Sequence, residues 1–173
     1  MDSKANWIPW LGSELEKLGF KVTSPDMPGA KDPMPDEWVA ALEEIADTTD
    51  GETVMAGHSL GAQTILKYLE KPNRPIAAAV LIAPWPNFNR IKDSAYSRMA
   101  KRWMDRDPDW APIKRNAAHV AAFFSTTDPY VLVDNAEIFK EHLNANIFME
   151  DAHGHFTGRE IPSVLKYIKS VMK

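Results

Sequence analysis

The chain has no cysteine among its 173 residues. That absence excludes disulfides, thiolate metal sites and a cysteine nucleophile, and it fits a reducing compartment, so a cytoplasmic location is expected. Long apolar runs are also missing. No run approaches the length needed to cross a bilayer, and the opening Met1, Asp2, Ser3, Lys4 lacks the apolar stretch of an export signal. Positive charge is in deficit, 20 Lys and Arg against 24 Asp and Glu, giving a net charge of -4 and a pI near 5.7. No global basic field is available to hold nucleic acid or an anionic membrane, so neither is an expected partner. Internal repeats and low-complexity tracts are absent too. With 45% hydrophobic residues the chain can fill one core and is too short for two comfortable domains, so residues 1–173 are expected to form a single domain.

What is present is an alternation of patterns. Short apolar or β-branched runs predict strands at Phe20 to Ser24, Thr53 to Ala56, Ile76 to Ala83, Val120 to Ser125 and Asn146 to Met149. Helical periodicity predicts helices at Trp7 to Leu18, Pro35 to Ala46, Ala62 to Leu69, Ser94 to Met104, Asp134 to Leu143 and Ile161 to Val171. Asp134 is the expected N-cap of its helix. Alternating helices and apolar strands predict an α/β fold: a doubly wound, mostly parallel sheet flanked by helices. Active sites in such folds gather beyond the carboxyl ends of the strands. The proline clusters at Pro25 to Pro35 and Pro84 to Pro86 then mark loops at strand ends.

Gly57, His58, Ser59, Leu60 and Gly61 fit the G-x-S-x-G nucleophile elbow, with a predicted strand before it and a helix after it. A serine hydroxyl is a poor nucleophile at neutral pH and must stand on a tight turn where a histidine can take its proton. The helix that follows would aim its N-terminal amides and positive dipole end at the reacting centre. The N–H of Leu60 is then a candidate oxyanion donor. His58 fills the variable position of the elbow, beside the oxyanion and substrate site, and its expected role is structural.

The remaining partners are expected from later strand ends, in the order serine, acid, histidine. Asp128 follows the Val120 to Ser125 strand in the stretch Ser125, Thr126, Thr127, Asp128, Pro129, and a carboxylate there can fix a histidine tautomer and stabilise its imidazolium. Its competing reading is a turn or cap aspartate beside proline. The base is expected to be His153 or His155, just after the last strand. Asp151, His153 and His155 also make a candidate metal cluster, disfavoured because no further ligand motif exists elsewhere. His119 reads as structural and His142 as a solvated helix residue.

The segment from Pro84 to Pro112 carries Trp85, Phe88, Tyr96, Met99, Trp103 and Trp110. It reads either as a cap over the nucleophile, with Trp85 and Trp103 lining an acyl or aryl subsite, or as a helix packing its apolar stripe on the sheet. Arg98, Lys101, Arg102 and Arg106 read as a solvated helical face.

Asn6 to Leu11, Pro25 to Pro28, the elbow, Asp128 with Pro129, and Gly154, His155, Phe156 together resemble the small serine-hydrolase family typified by retinoblastoma-binding protein 9. The resemblance implies an α/β-hydrolase fold, ester or amide hydrolysis, and Ser59, Asp128 and His155 as nucleophile, acid and base. It implies no cofactor and no metal. The sequence departs from the family at its start: a strand and a His-Gly loop, which supply the second oxyanion donor, have no counterpart before Asn6. A chain lacking the usual first, central strand is therefore expected, with an unpaired sheet edge that makes a homodimer a candidate assembly. The reading from sequence is a serine hydrolase acting on a small-molecule ester or amide through an acyl-enzyme. Its alternative is a catalytically impaired binding protein of the same fold.

Overall fold

A computed structural model describes residues 3–46, 51–87, 97–104 and 106–172. Its elements, among the described residues, are α1 (Ile8–Lys17), α2 (Pro35–Ile45), β1 (Val54–His58), α3 (Leu60–Leu69), β2 (Ile76–Ile82), α4 (Ser97–Trp103), α5 (Trp110–Asn116), β3 (Ala117–Ser125), α6 (Asn135–Leu143), β4 (Asn146–Glu150) and α7 (Pro162–Val171). The four strands form one sheet in the order β1-β2-β3-β4, parallel throughout. Parallel strands covered on both faces read as continuous apolar runs, and β2 is Ile-Ala-Ala-Ala-Val-Leu-Ile.

Consecutive side chains of a strand point to opposite faces, so two neighbours on β3 locate the helices. Phe123 stacks on Phe148 and meets Tyr167 of α7, whereas Phe124 meets Phe139 of α6. Helices α6 and α7 therefore cover opposite faces. α1 packs with α7, and α3 packs on β1 and β2 and against α2 and α5. Apolar on most of its surface, α3 is the central buried helix: Ala62 to Leu66, Tyr68 and Leu69 are all buried. Its carboxyl end is tied by the buried Asn116, whose amide nitrogen donates to the carbonyls of Leu69 and Lys71 at 2.9 and 2.8 Å. Lys71 and Arg74 both reach Glu43 of α2 and hold its carboxyl below the usual range, through hydrogen bonds from Lys71 and then Arg74.

Proline opens α1, α2 and α7 in the first turn, where a missing N–H costs nothing. The same rule explains α5, which the periodicity does not predict. Asp109 caps it by accepting from the Ala111 N–H, and Pro112 sits in the first turn rather than breaking the helix.

One predicted strand is not a strand. Phe20 to Ser24 pairs with no strand among the described residues, although its side chains keep the expected two-residue alternation: Phe20 and Val22 are half-buried, Lys21 and Thr23 exposed. The alternation records an extended chain, but a strand also needs a partner, and β1 is an edge of the sheet. A second correction concerns Asp134. It occupies the N-cap position of α6, but its side chain makes no capping bond; the Asn135 amide instead donates to the Leu132 carbonyl at 2.7 Å.

Candidate active site

The site is assembled where β1, β3 and β4 end. β1 leads directly into Ser59, and α3 begins at the next residue. The turn is tight enough to place Ser59 at φ 52°, ψ -112°, a conformation that non-glycine residues rarely adopt and that is held only when the surroundings impose it. The Ser59 N–H donates to the Ile82 carbonyl at 2.8 Å, and its carbonyl accepts from Ala62 and Gln63, so both ends of the residue are fixed. Of the two elbow glycines only Gly57 is required by space. A Cβ there would lie 2.5 Å from the Gly61 carbonyl carbon, whereas one at Gly61 meets nothing within 4 Å.

Asp128 follows β3 and is buried at 2% exposure. One carboxylate oxygen accepts from the N–H groups of Tyr130 and Val131, at 2.8 and 3.0 Å. The other lies 2.8 Å from His155 Nδ1. Burial alone would push this carboxyl up, but the bond from His155 and the two backbone N–H donors outweigh it and hold it below the usual range. Asp128 is thus an oriented, ionised carboxylate as well as a turn-former, which combines the two roles that compete for it in the sequence.

His155 is the histidine that meets Asp128, and its ring also lies edge-on to Tyr130. His153 turns elsewhere, its Nε2 3.6 Å from Glu150 and its ring stacked with Phe156. Of the two histidines that the sequence leaves open, only His155 contacts Asp128. His58 is buried, with its ring 4.7 Å from that of His155 and edge-on to Trp7, so the elbow and the histidine loop adjoin.

Two further residues hold the histidine loop against the acid loop. Thr127 Oγ1 accepts from the Gly154 N–H at 3.1 Å, and Thr126 Oγ1 donates to Asp151 at 3.1 Å. The run of small hydroxyl residues Ser125, Thr126, Thr127 is their only sequence signal.

The aromatic segment divides differently from the cap expectation. Trp103 is 1% exposed and lies edge-on to Trp38 at 5.1 Å, and Trp85 is also buried. Side chains so enclosed pack the core and offer no open face to a substrate, as the apolar-stripe reading has it. Trp110 stacks on His142 and meets Phe139, and Met99 packs partly buried against the core. Phe88, Tyr96 and the Arg98 side chain lie outside the described residues. Arg102 pairs with Asp32, and Arg106 pairs with Glu70, which also accepts from the Asp109 N–H.

With this geometry in place, comparison with known proteins is decisive on one point. Residues 2–165 match the sequence profile of the serine hydrolase family. The chain belongs to that family. It is 25% identical over 167 residues to serine hydrolase RBBP9 of Rattus norvegicus, covering 96% of this chain and 86% of the relative. In structure it is similar to the ydeN gene product of B. subtilis, with TM-score 0.89 and 22% identity over 99% of this chain and 92% of that one. Est1E of Butyrivibrio proteoclasticus, solved with ferulic acid bound, superposes with TM-score 0.68 at 16% identity, covering 99% and 84% of the two chains. As in other members of the superfamily, the fold is that of an α/β hydrolase, here a single domain. Among the described residues no helix is long and apolar enough to cross a membrane.

Proposed function

We propose that this serine hydrolase cleaves a carboxylic ester or amide of a small substrate through an acyl-enzyme, with Ser59 as nucleophile, His155 as base and Asp128 as the orienting acid. The observation that carries the reading is the 2.8 Å contact between His155 Nδ1 and Asp128, formed at the strand ends beside a Ser59 held at positive φ. Asp128 takes the Nδ1–H, which selects the tautomer whose Nε2 is free to accept a proton. Ser59 Oγ then attacks the substrate carbonyl as Nε2 removes its proton. The C–O bond forms, the carbonyl π pair moves onto oxygen, and the Leu60 N–H at the start of α3 donates to that oxyanion. Collapse expels the alcohol or amine, which leaves with the proton from His155, and water repeats the sequence to release the acid.

Rapid mixing with p-nitrophenyl butyrate tests the reading. A burst of p-nitrophenol equivalent to the enzyme, followed by slower turnover and lost in Ser59→Ala, is the expected result. Hydrolysis that survives Ser59→Ala would overturn it.

A further inference from the structure

His155 sits in a tight turn. The Phe156 N–H donates to the His153 carbonyl at 2.9 Å, so Gly154 and His155 are the two central residues of a β-turn. Gly154 takes φ 51°, while Ala152, just before the turn, and Phe156, its last residue, stand at φ 58° and 52°. Glycine enters this left-handed region freely. Alanine and phenylalanine enter it only where their surroundings impose it. Packing holds Phe156, which is buried and stacked with His153. The other end of the turn has no such anchor, because Ala152 is exposed and Gly154 has no side chain to bury.

That end is held from the loop after β3. Thr127 Oγ1 accepts from the Gly154 N–H at 3.1 Å, and one residue further along each loop the Asp128 carboxylate lies 2.8 Å from His155 Nδ1. Consecutive residues of one loop are thus tied to consecutive residues of the other. Thr127 Oγ1 also lies 3.3 Å from Oγ of the buried Ser125. With one lone pair engaged by Gly154, the Thr127 hydroxyl can turn its proton to Ser125, which fixes its rotor. A ring tied at Nδ1 alone can still swing as its backbone turns, and a second tie, at the peptide leading into His155, removes that freedom. Thr127 is exposed, so water competes for its bond and the contribution to folding is small. What the bond sets is direction.

We propose that Thr127 is a positioning residue for the hydrolytic reaction: its hydroxyl holds the Gly154 peptide, and through it keeps the His155 ring aligned between Asp128 and Ser59. His155 takes a proton and returns it in both the acylation and the deacylation half, so an error in where Nε2 points is felt at every transfer. The kinetic part rests on the hydrolase reading above; the alignment of His155 on Asp128 does not.

Two variants and one spectroscopic signal test this. Thr127→Val keeps the shape of the side chain and removes the acceptor, whereas Thr127→Ser keeps the acceptor. In Thr127→Val, fluorophosphonate labelling of Ser59 and kcat for p-nitrophenyl butyrate should both fall by about 10- to 100-fold, with KM changed by no more than about twofold. Its thermal midpoint should move by no more than about 3 °C. Thr127→Ser should recover most of the rate. The proton NMR signal of His155 Nδ1–H, shifted downfield by its bond to Asp128, reports alignment without turnover; it should be sharp in the wild type and Thr127→Ser, and broadened by exchange with water in Thr127→Val. Where the wild type labels, an unchanged rate or an unchanged signal in folded Thr127→Val would overturn the proposal. So would a Thr127→Ser as slow as Thr127→Val, or a change confined to KM. If Thr127→Val does not fold, hydrogen exchange of the wild type decides. The Gly154 amide should then exchange about tenfold or more slowly than an unstructured glycine amide, and exchange at the unstructured rate would overturn the proposal. A wild type whose Ser59 never labels, with the Nδ1–H signal broadened only in Thr127→Val, would count against the hydrolase reading and support the alignment.

Discussion

Burial pushes the His58 imidazole down to about 3, with the neighbouring His155 adding to the effect, so His58 stays neutral in the folded protein while it protonates near its ordinary value of 6.5 when unfolded. The sign follows: the unfolded state gains a proton that the folded state refuses, so this group leaves stability untouched above pH 6.5 and lowers it as pH falls from there toward 3. The loss by pH 5 is about 2 kcal/mol. Denaturant titrations of the wild type and His58→Gln should show a shallower slope between pH 7 and 5 in the variant, and equal slopes would contradict the assignment. Asp128 acts in a lower window. Its depressed pKa gives stability present above its ordinary value of 3.8 and lost as pH falls through the folded value. Asp128→Asn should keep the fold at neutral pH yet lower kcat by about 10³- to 10⁴-fold with KM little changed, because the amide favours the wrong imidazole tautomer. The elbow glycines should behave unequally. Gly57→Ala drives a Cβ into the Gly61 backbone and should cost about 3 kcal/mol or more, whereas Gly61→Ala, which meets no atom within 4 Å, should leave thermal stability unchanged or slightly raised.

Helix α3 joins Ser59 to the core, and its two ends are secured differently. Its start is fixed by the Ser59 carbonyl and its finish by Asn116, which comes from α5, an element the periodicity does not reveal. Asn116→Ala would leave the buried carbonyl of Leu69 short of a donor and should cost about 1–3 kcal/mol in urea unfolding. A neutral result would mean that the α3 terminus is held by packing alone. The elements that were legible in the sequence are those whose signals are local: apolar runs bounded by turn residues for the four paired strands, and apolar periodicity for the helices other than α5. Phe20 to Ser24 shows the limit of that reasoning. Its alternation is real, but pairing is a property of two chains, and no local pattern states whether the second is there.

The candidate site was legible to a similar depth. Ser59, Asp128 and the pair His153 and His155 follow from the elbow and from the rule that chemistry gathers at strand carboxyl ends, but choosing His155 on the bare residues required the 2.8 Å contact to Asp128. The positions of Trp85 and Trp103 were not legible, because an aromatic side chain that lines a pocket and one that fills a core follow the same pattern. Thr126 and Thr127 were hidden for a different reason: their partners lie more than twenty residues away, on the loop they hold. The folded domain thus brings Ser59, Asp128 and His155 to one end of the sheet. Its central claim is that His155 and Asp128 activate Ser59. Labelling of the folded protein with a fluorophosphonate, followed by peptide mapping, tests this most directly. The account predicts a single adduct on Ser59, absent from Ser59→Ala and strongly slowed in Asp128→Asn. A folded wild type that stays unlabelled, or an adduct on another residue, would contradict it.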